Sequence, residues 1–253
     1  MKQTTSWGKV ADWYDDYLKD PDSYQSQVIL PNLLRISDPK AGSSILDLAC
    51  GQGFFSFQMA KKGAKVVGVD ISKELIQIAV TQAKKEKVAV DFYVSSAHKL
   101  SIIKDKVCDT IVCVLAAQNI KELDQMLGEC KRILKPKGRI IFVLNHPAFR
   151  IPQESDWYFN EDKKKQGRVV YTYLSEKQFE IEMNPGKTNS AKTISFHRPL
   201  QVYVKWLSKH GFAVTRLEEW ISHKKSQKGT RSLAEDSARH EIPLFMCLEG
   251  TFI

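Results

Sequence analysis

Residues 45–72 constrain the fold more than any other part of the chain, because they read ILDLACGQGFFSFQMAKKGAKVVGVDIS. Residues 45–48 are a short apolar run, and glycines interrupt the pattern directly after it. Residues 54–62 have helical spacing, Gly63 suits the end of that helix, and residues 65–69 form a second apolar run. A strand, a glycine turn, a helix and a parallel strand make up one half of a doubly wound α/β fold.

An acidic residue ends each of the two predicted strands, Asp47 the first and Asp70 the second. A dinucleotide fingerprint places a pyrophosphate against the helix N-terminus, where Asp47 would repel it, and Ser56 stands at the third glycine position of that fingerprint. A cationic ligand suits this turn better. Gly51 and Gly53 let the backbone approach such a ligand closely, and Asp70 is placed to accept hydrogen bonds from ribose hydroxyls.

The glycine motif D-L-A-C-G-Q-G resembles the D/E-x-G-x-G-x-G motif of the class I S-adenosylmethionine-dependent methyltransferases, with Ala49 in place of the first glycine. Further segments follow in the family's order: GVDIS, CDTIVCVLAAQNI, LKPKGRIIFVL and HGFAVTRLEEW. The resemblance implies a Rossmann-like, doubly wound, seven-stranded and mostly parallel sheet with an antiparallel edge. It also implies S-adenosyl-L-methionine as the cofactor and S-adenosyl-L-homocysteine as the product.

We expect four regions along the chain. They are an N-terminal helical cap (1–40), a cofactor-binding core (41–146), an inserted antiparallel substrate lid (147–198) and the C-terminal part of the core (199–253). The lid strands are expected on either side of a turn at residues 184–186, and residues 221–242 read as a polar, basic loop.

The predicted cofactor contacts combine the acidic and glycine positions with residues after later strands, where ligands of open α/β sheets bind. Those placed by the resemblance include Tyr14 in the cap and a polar or backbone contact near residue 96. The full set is Tyr14, Asp47, Ala49, Gly51, Gly53, Asp70, Ile71, Ser96, Ala97, Leu115 and Gln118.

Two histidines are the candidate general bases for deprotonating a methyl acceptor. His146, at the end of a predicted strand, is the first choice and His197, in the returning lid, the second. For each, the alternative is an interior imidazole that braces a loop. Candidate substrate contacts are the lid aromatics and two arginines: Phe149, Arg150, Trp157, Tyr171 and Arg198. No acidic cluster suggests a metal.

The formal net charge of +9 comes from basic residues spread along the chain, so a nucleic-acid partner is a weaker reading than a small acceptor. The five cysteines show no C-x-x-C pair, which favours reduced, structural thiols. Without an apolar signal or spanning segment, we expect a cytoplasmic protein.

The predicted function is S-adenosylmethionine-dependent methyl transfer to a small or medium-sized, aromatic or lipid-like acceptor. Two alternatives stay open. One is an RNA methyltransferase acting on tRNA or rRNA, and the other is a non-catalytic S-adenosylmethionine-binding protein. The acceptor's identity and the oligomeric state are not determined by the sequence.

Overall fold

A seven-stranded sheet forms the centre of the computed structural model, which describes residues 20–182 and 192–253. In chain order the strands are β1 (Ser44–Leu48), β2 (Lys65–Asp70), β3 (Val90–Val94), β4 (Cys108–Val114), β5 (Leu134–Asn145), β6 (Ser155–Asn160), β7 (Lys165–Val170), β8 (Lys177–Glu182), β9 (Lys192–His197), β10 (Phe212–Trp220) and β11 (Phe245–Phe252). The α-helices are α1 (Leu30–Ser37), α2 (Phe54–Lys61), α3 (Lys73–Glu86), α4 (Leu123–Ile133), α5 (Leu200–Lys209) and α6 (Ser232–Glu241).

The strands of the central sheet lie in the order β10-β11-β5-β4-β1-β2-β3. Strands β1 to β5 run parallel, whereas β11 pairs antiparallel with both β5 and β10. Buried apolar residues pack on both faces of the sheet, in two clusters beneath the helices. The predicted fold class, with its mostly parallel sheet and antiparallel edge, is therefore confirmed.

Local signals place the helices as the sequence predicts. The Ser72 side chain accepts a hydrogen bond from the Leu75 amide and caps α3. Pro31 lies in the first turn of α1, where its missing N–H costs little, and a π-helical turn (Gln25–Ile29) leads into it. Gly63, with a φ of +97°, ends the turn after α2, a conformation that favours glycine.

The predicted lid contains two antiparallel hairpins, β6 with β7 and β8 with β9. Residues 168–183, which precede the predicted turn, do not form one continuous strand. The chain leaves the extended ladder between Val170 and Lys177, and β7 pairs with β6. The predicted turn at residues 184–186 lies outside the described residues, as does Tyr14. The division of the chain into cap, core and lid stays a prediction.

One expectation is wrong. Part of the predicted loop 221–242 forms the helix α6, which packs against β7 through Ala238 and its neighbours. Its sequence, SLAEDSARHE, contains the good helix formers Leu, Ala, Glu and Arg, and basic residues in its last turn suit the negative end of the helix dipole. The polar composition of the segment suggested a loop, but these helix propensities determine its structure.

All five cysteines are buried and unpaired. Burial raises the pKa of the Cys108 thiol to about 11 and that of Cys247 to about 12, so these thiols stay protonated and unreactive at neutral pH. This agrees with the structural role predicted for them.

No helix in the described part of the chain is long and apolar enough to cross a membrane. A cytoplasmic location stays a prediction.

Candidate active site

Two buried carboxylates lie side by side at the carboxyl ends of the parallel strands β1 and β2. The Asp47 carboxylate is 1% exposed and accepts a hydrogen bond of 2.6 Å from the Ser56 hydroxyl. The Asp70 carboxylate accepts backbone N–H bonds from Gly51 (2.9 Å) and Ser72 (2.8 Å). Asp70 therefore holds the glycine turn and the start of α3 together.

Asp47 lies in an environment that opposes its negative charge. Burial raises its pKa to about 7, and the neighbouring Asp70 adds to the rise, while the bond from Ser56 opposes it. Burial also raises the pKa of Asp70, against the backbone hydrogen bonds that lower it. Within residues 20–182 and 192–253, no basic side chain bonds to Asp47. A cationic ligand would supply the missing countercharge.

The turn between β1 and α2 has left-handed backbone at three positions. Gly51 and Gly53 have φ values of +57° and +84°, and a Cβ added at Gly53 would come within 2.7 Å of the Phe92 ring. Ala49 has a φ of +59° although it is not glycine. The alanine that replaces the motif's first glycine thus keeps the backbone conformation, at some cost in strain.

The first cavity opens between this turn and the end of β4. Its lining brings together predicted cofactor contacts, namely Asp47, Ala49, Gly51, Asp70, Ile71 and Leu115. The structure adds Cys50, Phe54, Phe55, Leu75, Val114, Ala116, Asn119 and Ile120. The lining combines two carboxylates with apolar side chains, a mixture that suits a nucleoside cofactor.

Four described residues of the predicted cofactor set do not line this cavity. Gly53 begins α2 behind the turn. Ser96 bonds to the imidazole of His98 (2.8 Å), and Ala97 packs against the core. Gln118 lines a second cavity instead, and its side-chain amide donates to the Leu115 carbonyl oxygen at 2.8 Å. Its predicted contact with the cofactor stays a prediction.

The second cavity adjoins the first, since Leu115 and Asn119 line both. Its walls come from the π-helical turn, the turn after β4, the end of β5 and the lid hairpin of β8 and β9. The lining residues are Gln25, Leu115, Gln118, Asn119, Asn145, Pro147, Arg150, Pro152, Ile181, Ser195, Phe196, His197, Arg198 and Tyr203. Two adjoining cavities suit a donor and an acceptor that react where the cavities meet.

His146 lies beside the second cavity without lining it. Its Nε2 lies 2.7 Å from a carboxylate oxygen of Glu219, its Nδ1 accepts a bond from the Ala148 amide, and its ring stacks on Phe149. Burial lowers the pKa of His146, and the bond to Glu219 opposes this. Both ring nitrogens are therefore engaged, and this geometry favours a structural role in which His146 braces the loop after β5. Catalysis by His146 stays a prediction, and these contacts argue against it.

His197 has the contrasting geometry. It is buried in the wall of the second cavity, and its Nε2 lies 2.7 Å from the Tyr173 carbonyl oxygen. A carbonyl only accepts, so Nε2 carries the proton and the neutral ring presents Nδ1 as an acceptor. Within the described residues no hydrogen-bond donor reaches Nδ1. Of the two predicted histidines, His197 has the geometry of a base.

The predicted substrate contacts separate into two groups. Arg150 and Arg198 line the second cavity, and Arg198 donates to the backbone carbonyls of Ala117, Ile120 and Lys121, so it clamps the turn after β4. The three predicted aromatics lie elsewhere. Phe149 stacks on His146, Trp157 is 41% exposed in an outer groove against α6, and Tyr171 is 61% exposed. Another aromatic residue of the predicted lid, Phe196, lines the cavity.

Sequence reasoning missed Asn119 and Gln25. Asn119 lies one residue beyond Gln118, and the rule that ligands bind at carboxyl strand ends would have found it with a slightly wider window. Gln25 gave no signal, because a glutamine in a polar helical stretch reads as a solvent-facing residue. Among the described residues, no three His, Cys, Asp or Glu side chains lie close enough to hold a metal ion.

Comparison with known proteins decides the family. Residues 39–191, more than half of the chain, match the family described as a methyltransferase domain. The chain belongs to this methyltransferase family. The prediction that it is a methyltransferase enzyme is therefore confirmed.

The relatives of this methyltransferase include the ubiquinone biosynthesis O-methyltransferase of Pelagibacter ubique, 37% identical over 112 residues, which are 44% of this chain and 45% of the relative. The chain spans about half the length of the curated relatives that it matches, or less.

Solved structures confirm the fold. An S-adenosylmethionine-dependent methyltransferase from Mesorhizobium loti has a TM-score of 0.70 at 20% identity, covering 92% of this chain and 99% of its own. A putative S-adenosylmethionine-dependent methyltransferase from Listeria monocytogenes has a TM-score of 0.63 at 22% identity, covering 84% and 92%.

The burial of Asp47 predicts a pH dependence of stability. The unfolded chain releases this proton near pH 4, whereas the folded protein keeps it until about pH 7, so the folded state loses stability as pH rises between those values. Asp47→Asn retains an acceptor for Ser56 and removes the charge. We expect it to stabilise the ligand-free protein by about 2–4 kcal/mol above pH 7 and by little at pH 4, as measured by urea unfolding.

Asp109 provides the matched control for this substitution. It lies at the amino end of the central strand β4, where partial burial opposes the hydrogen bonds from Lys135 and Ser44 that lower its pKa. Asp109→Asn should therefore destabilise the protein at neutral pH. Equal stability of Asp47→Asn and the parent at all pH values would show that Asp47 carries no buried charge.

Proposed function

We propose that this methyltransferase transfers a methyl group from S-adenosyl-L-methionine to a small or medium-sized, aromatic or lipid-like acceptor bound in the second cavity. The observation that carries the proposal is the junction of the two cavities at Leu115 and Asn119, with buried carboxylates on one side and apolar walls plus His197 on the other. The names of the structural neighbours support the same cofactor.

The residues of the first cavity fit this cofactor. Asp47 lacks a basic partner among the described residues, and a sulfonium or ammonium group would favour its ionised form. Asp70 keeps lone pairs beyond its two backbone bonds, which can accept from the ribose hydroxyls. Ile71, Leu75 and Ile120 offer apolar surface to the adenine.

The second cavity supports a small acceptor rather than a long polymer. Leu115, Pro147, Ile181 and Phe196 provide apolar walls, and the β8–β9 hairpin contributes Ile181 and Phe196. An acceptor bound against these walls displaces water from the junction and is held in line, which is the main protein contribution to a displacement at carbon.

In the proposed reaction, one proton passes from the acceptor to a side chain of this protein. S-adenosylmethionine held by Asp47 and Asp70 would supply an electrophilic methyl group, with sulfur as the leaving group that keeps the electron pair of the broken bond. The acceptor oxygen forms the new bond to the methyl carbon with a lone pair, and its proton passes to Nδ1 of His197. The Tyr173 carbonyl holds the imidazole in the tautomer that this transfer needs and stabilises the resulting imidazolium.

Cofactor binding is tested at Asp70. Asp70→Ala removes the acceptors for the ribose hydroxyls, so we expect the affinity for S-adenosylmethionine in calorimetry to fall by about 1.5–3 kcal/mol, the scale for hydrogen bonds to a charged group. The control Asp109→Ala removes a carboxylate at the amino end of β4, away from the carboxyl ends of the strands, and should leave the affinity unchanged. Undiminished binding by Asp70→Ala would refute the role of Asp70, and no binding of S-adenosylmethionine by the parent would refute the cofactor assignment.

Catalysis is tested at the two histidines. The acceptor for this assay is whichever of a panel of phenols, hydroxylated lipids and bulk RNA gives the fastest release of S-adenosylhomocysteine. His197→Gln should lower kcat by about 10²-fold, the range for loss of a general base, with cofactor affinity unchanged. His146→Gln, the control, should leave kcat within a few fold.

Two results of that assay contradict the proposal. If RNA is the fastest acceptor in the panel, the chain is an RNA methyltransferase. If only His146→Gln lowers kcat, the base is assigned to the wrong histidine.

A further inference from the structure

One buried guanidinium connects the lid to the turn that lies between the two cavities. Arg198 directly follows β9 and is only 6% exposed. Its guanidinium donates to the backbone carbonyl oxygens of Ala117 (3.2 Å), Ile120 (2.8 Å) and Lys121 (3.1 Å). All three acceptors belong to the segment between β4 and α4, so a side chain at the end of the lid depends on the conformation of the core.

The same turn forms part of the wall of the first cavity. Leu115, Ala116, Asn119 and Ile120 all line that cavity. Ile120 therefore borders the proposed cofactor site and also bonds to Arg198 through its carbonyl oxygen. A cofactor bound against this wall would hold the turn in the conformation that presents its carbonyl oxygens to Arg198.

The residues that precede Arg198 belong to the second cavity. His197, the proposed base, is its neighbour in the chain, and the Phe196 ring lies under the guanidinium, with its centroid 5.1 Å from Cζ. Ile181 and Ser195 of the same β8–β9 hairpin line this cavity as well. The position of Arg198 therefore affects where the hairpin presents both the base and the apolar wall.

The buried charge of Arg198 makes this connection cooperative. Its three bonds go to neutral carbonyl oxygens, and among the described residues no carboxylate forms an ion pair with it. A buried guanidinium that loses its acceptors is strongly unfavourable. A displaced turn would therefore release Arg198 and loosen the β8–β9 hairpin that ends beside it.

Resting on the proposed function, we infer that Arg198 is a positioning residue that couples cofactor binding to the docking of the β8–β9 hairpin. The turn after β4, ordered against bound S-adenosylmethionine, holds Arg198, and Arg198 holds His197 and Phe196 in the wall of the acceptor cavity. By thermodynamic linkage, the docked hairpin raises the cofactor affinity by the same factor. The acceptor cavity is then complete only after the cofactor has bound, which sets the order of binding.

The test measures hydrogen exchange of backbone amides in the full chain, with and without S-adenosylhomocysteine. Calorimetry establishes the concentration that saturates each variant. In the parent, bound S-adenosylhomocysteine should slow the exchange of the β9 amides by about tenfold or more, within the usual range of coupling between two sites. The amides of β6 and β7 should slow by much less, because that hairpin does not bond to the turn after β4.

Matched variants identify the side chain responsible. Arg198→Met removes the guanidinium and keeps an unbranched side chain, so the cofactor product should slow β9 exchange by less than twofold. Arg198→Lys keeps the charge but lacks the planar fork that reaches three carbonyls, so the slowing should fall well below that of the parent. The control Arg168→Met alters a lid arginine that donates to the carbonyls of Phe149 and Ser155, and it should retain the parental slowing.

The response to cofactor separates coupling from a purely structural role. A purely structural arginine would change β9 exchange equally with and without S-adenosylhomocysteine. Unchanged β9 exchange on binding in the parent, equal slowing of β6, β7 and β9, or parental slowing in either Arg198 variant would overturn the inference and leave the proposed function intact. If neither S-adenosylmethionine nor its product binds in calorimetry, the proposed function fails, and the inference fails with it.

Discussion

The rest of the site depends on one electrostatic constraint, a carboxylate that the fold buries without a basic partner among the described residues. Parallel strands β1 and β2 end side by side, so Asp47 and Asp70 are removed from water together. Asp70 offsets its burial with two backbone hydrogen bonds, whereas among the described residues Asp47 is hydrogen-bonded by Ser56 alone, and its pKa rises to about 7. Such a site is completed by a ligand that brings positive charge, which accounts for the preference for a sulfonium cofactor over a pyrophosphate.

The sequence predicted the parts of the structure that local chemistry determines. Apolar runs and the glycine turn predicted the strands of the sheet and the two carboxylates at the carboxyl ends of β1 and β2. Each of these signals, like the cap at Ser72, depends on only a few neighbouring residues. The α6 helix was missed because a polar composition outweighed its helix propensity. The pairing of β6 with β7 was not predicted from the sequence. Tertiary packing determines which strands pair, and the sequence of a single polar segment carries no information on its partner.

Side-chain roles in the second cavity were harder to predict for the same reason. His146 directly follows β5 and His197 is the last residue of β9. Only three-dimensional contacts distinguish their roles, since Glu219 engages His146 and the Tyr173 carbonyl orients His197. Arg198 faces the cavity but binds backbone carbonyls, so a residue expected to bind substrate instead positions Gln118 and Asn119. Gln25 lies in the π-helical turn before α1, far along the chain from the other residues of the cavity. No sequence motif links it to them.

The most direct measurement of the central claim is the ionisation of Asp47 with and without cofactor. With ¹³C-labelled aspartate, the Asp47 carboxyl carbon is assigned by its loss in Asp47→Asn and followed by NMR between pH 5 and pH 8. The account predicts a midpoint of about 7 in the ligand-free protein, and a carboxylate that is fully ionised at pH 6 when S-adenosylmethionine is saturating. The same midpoint with and without bound cofactor would contradict the claim that this buried carboxylate awaits a cation.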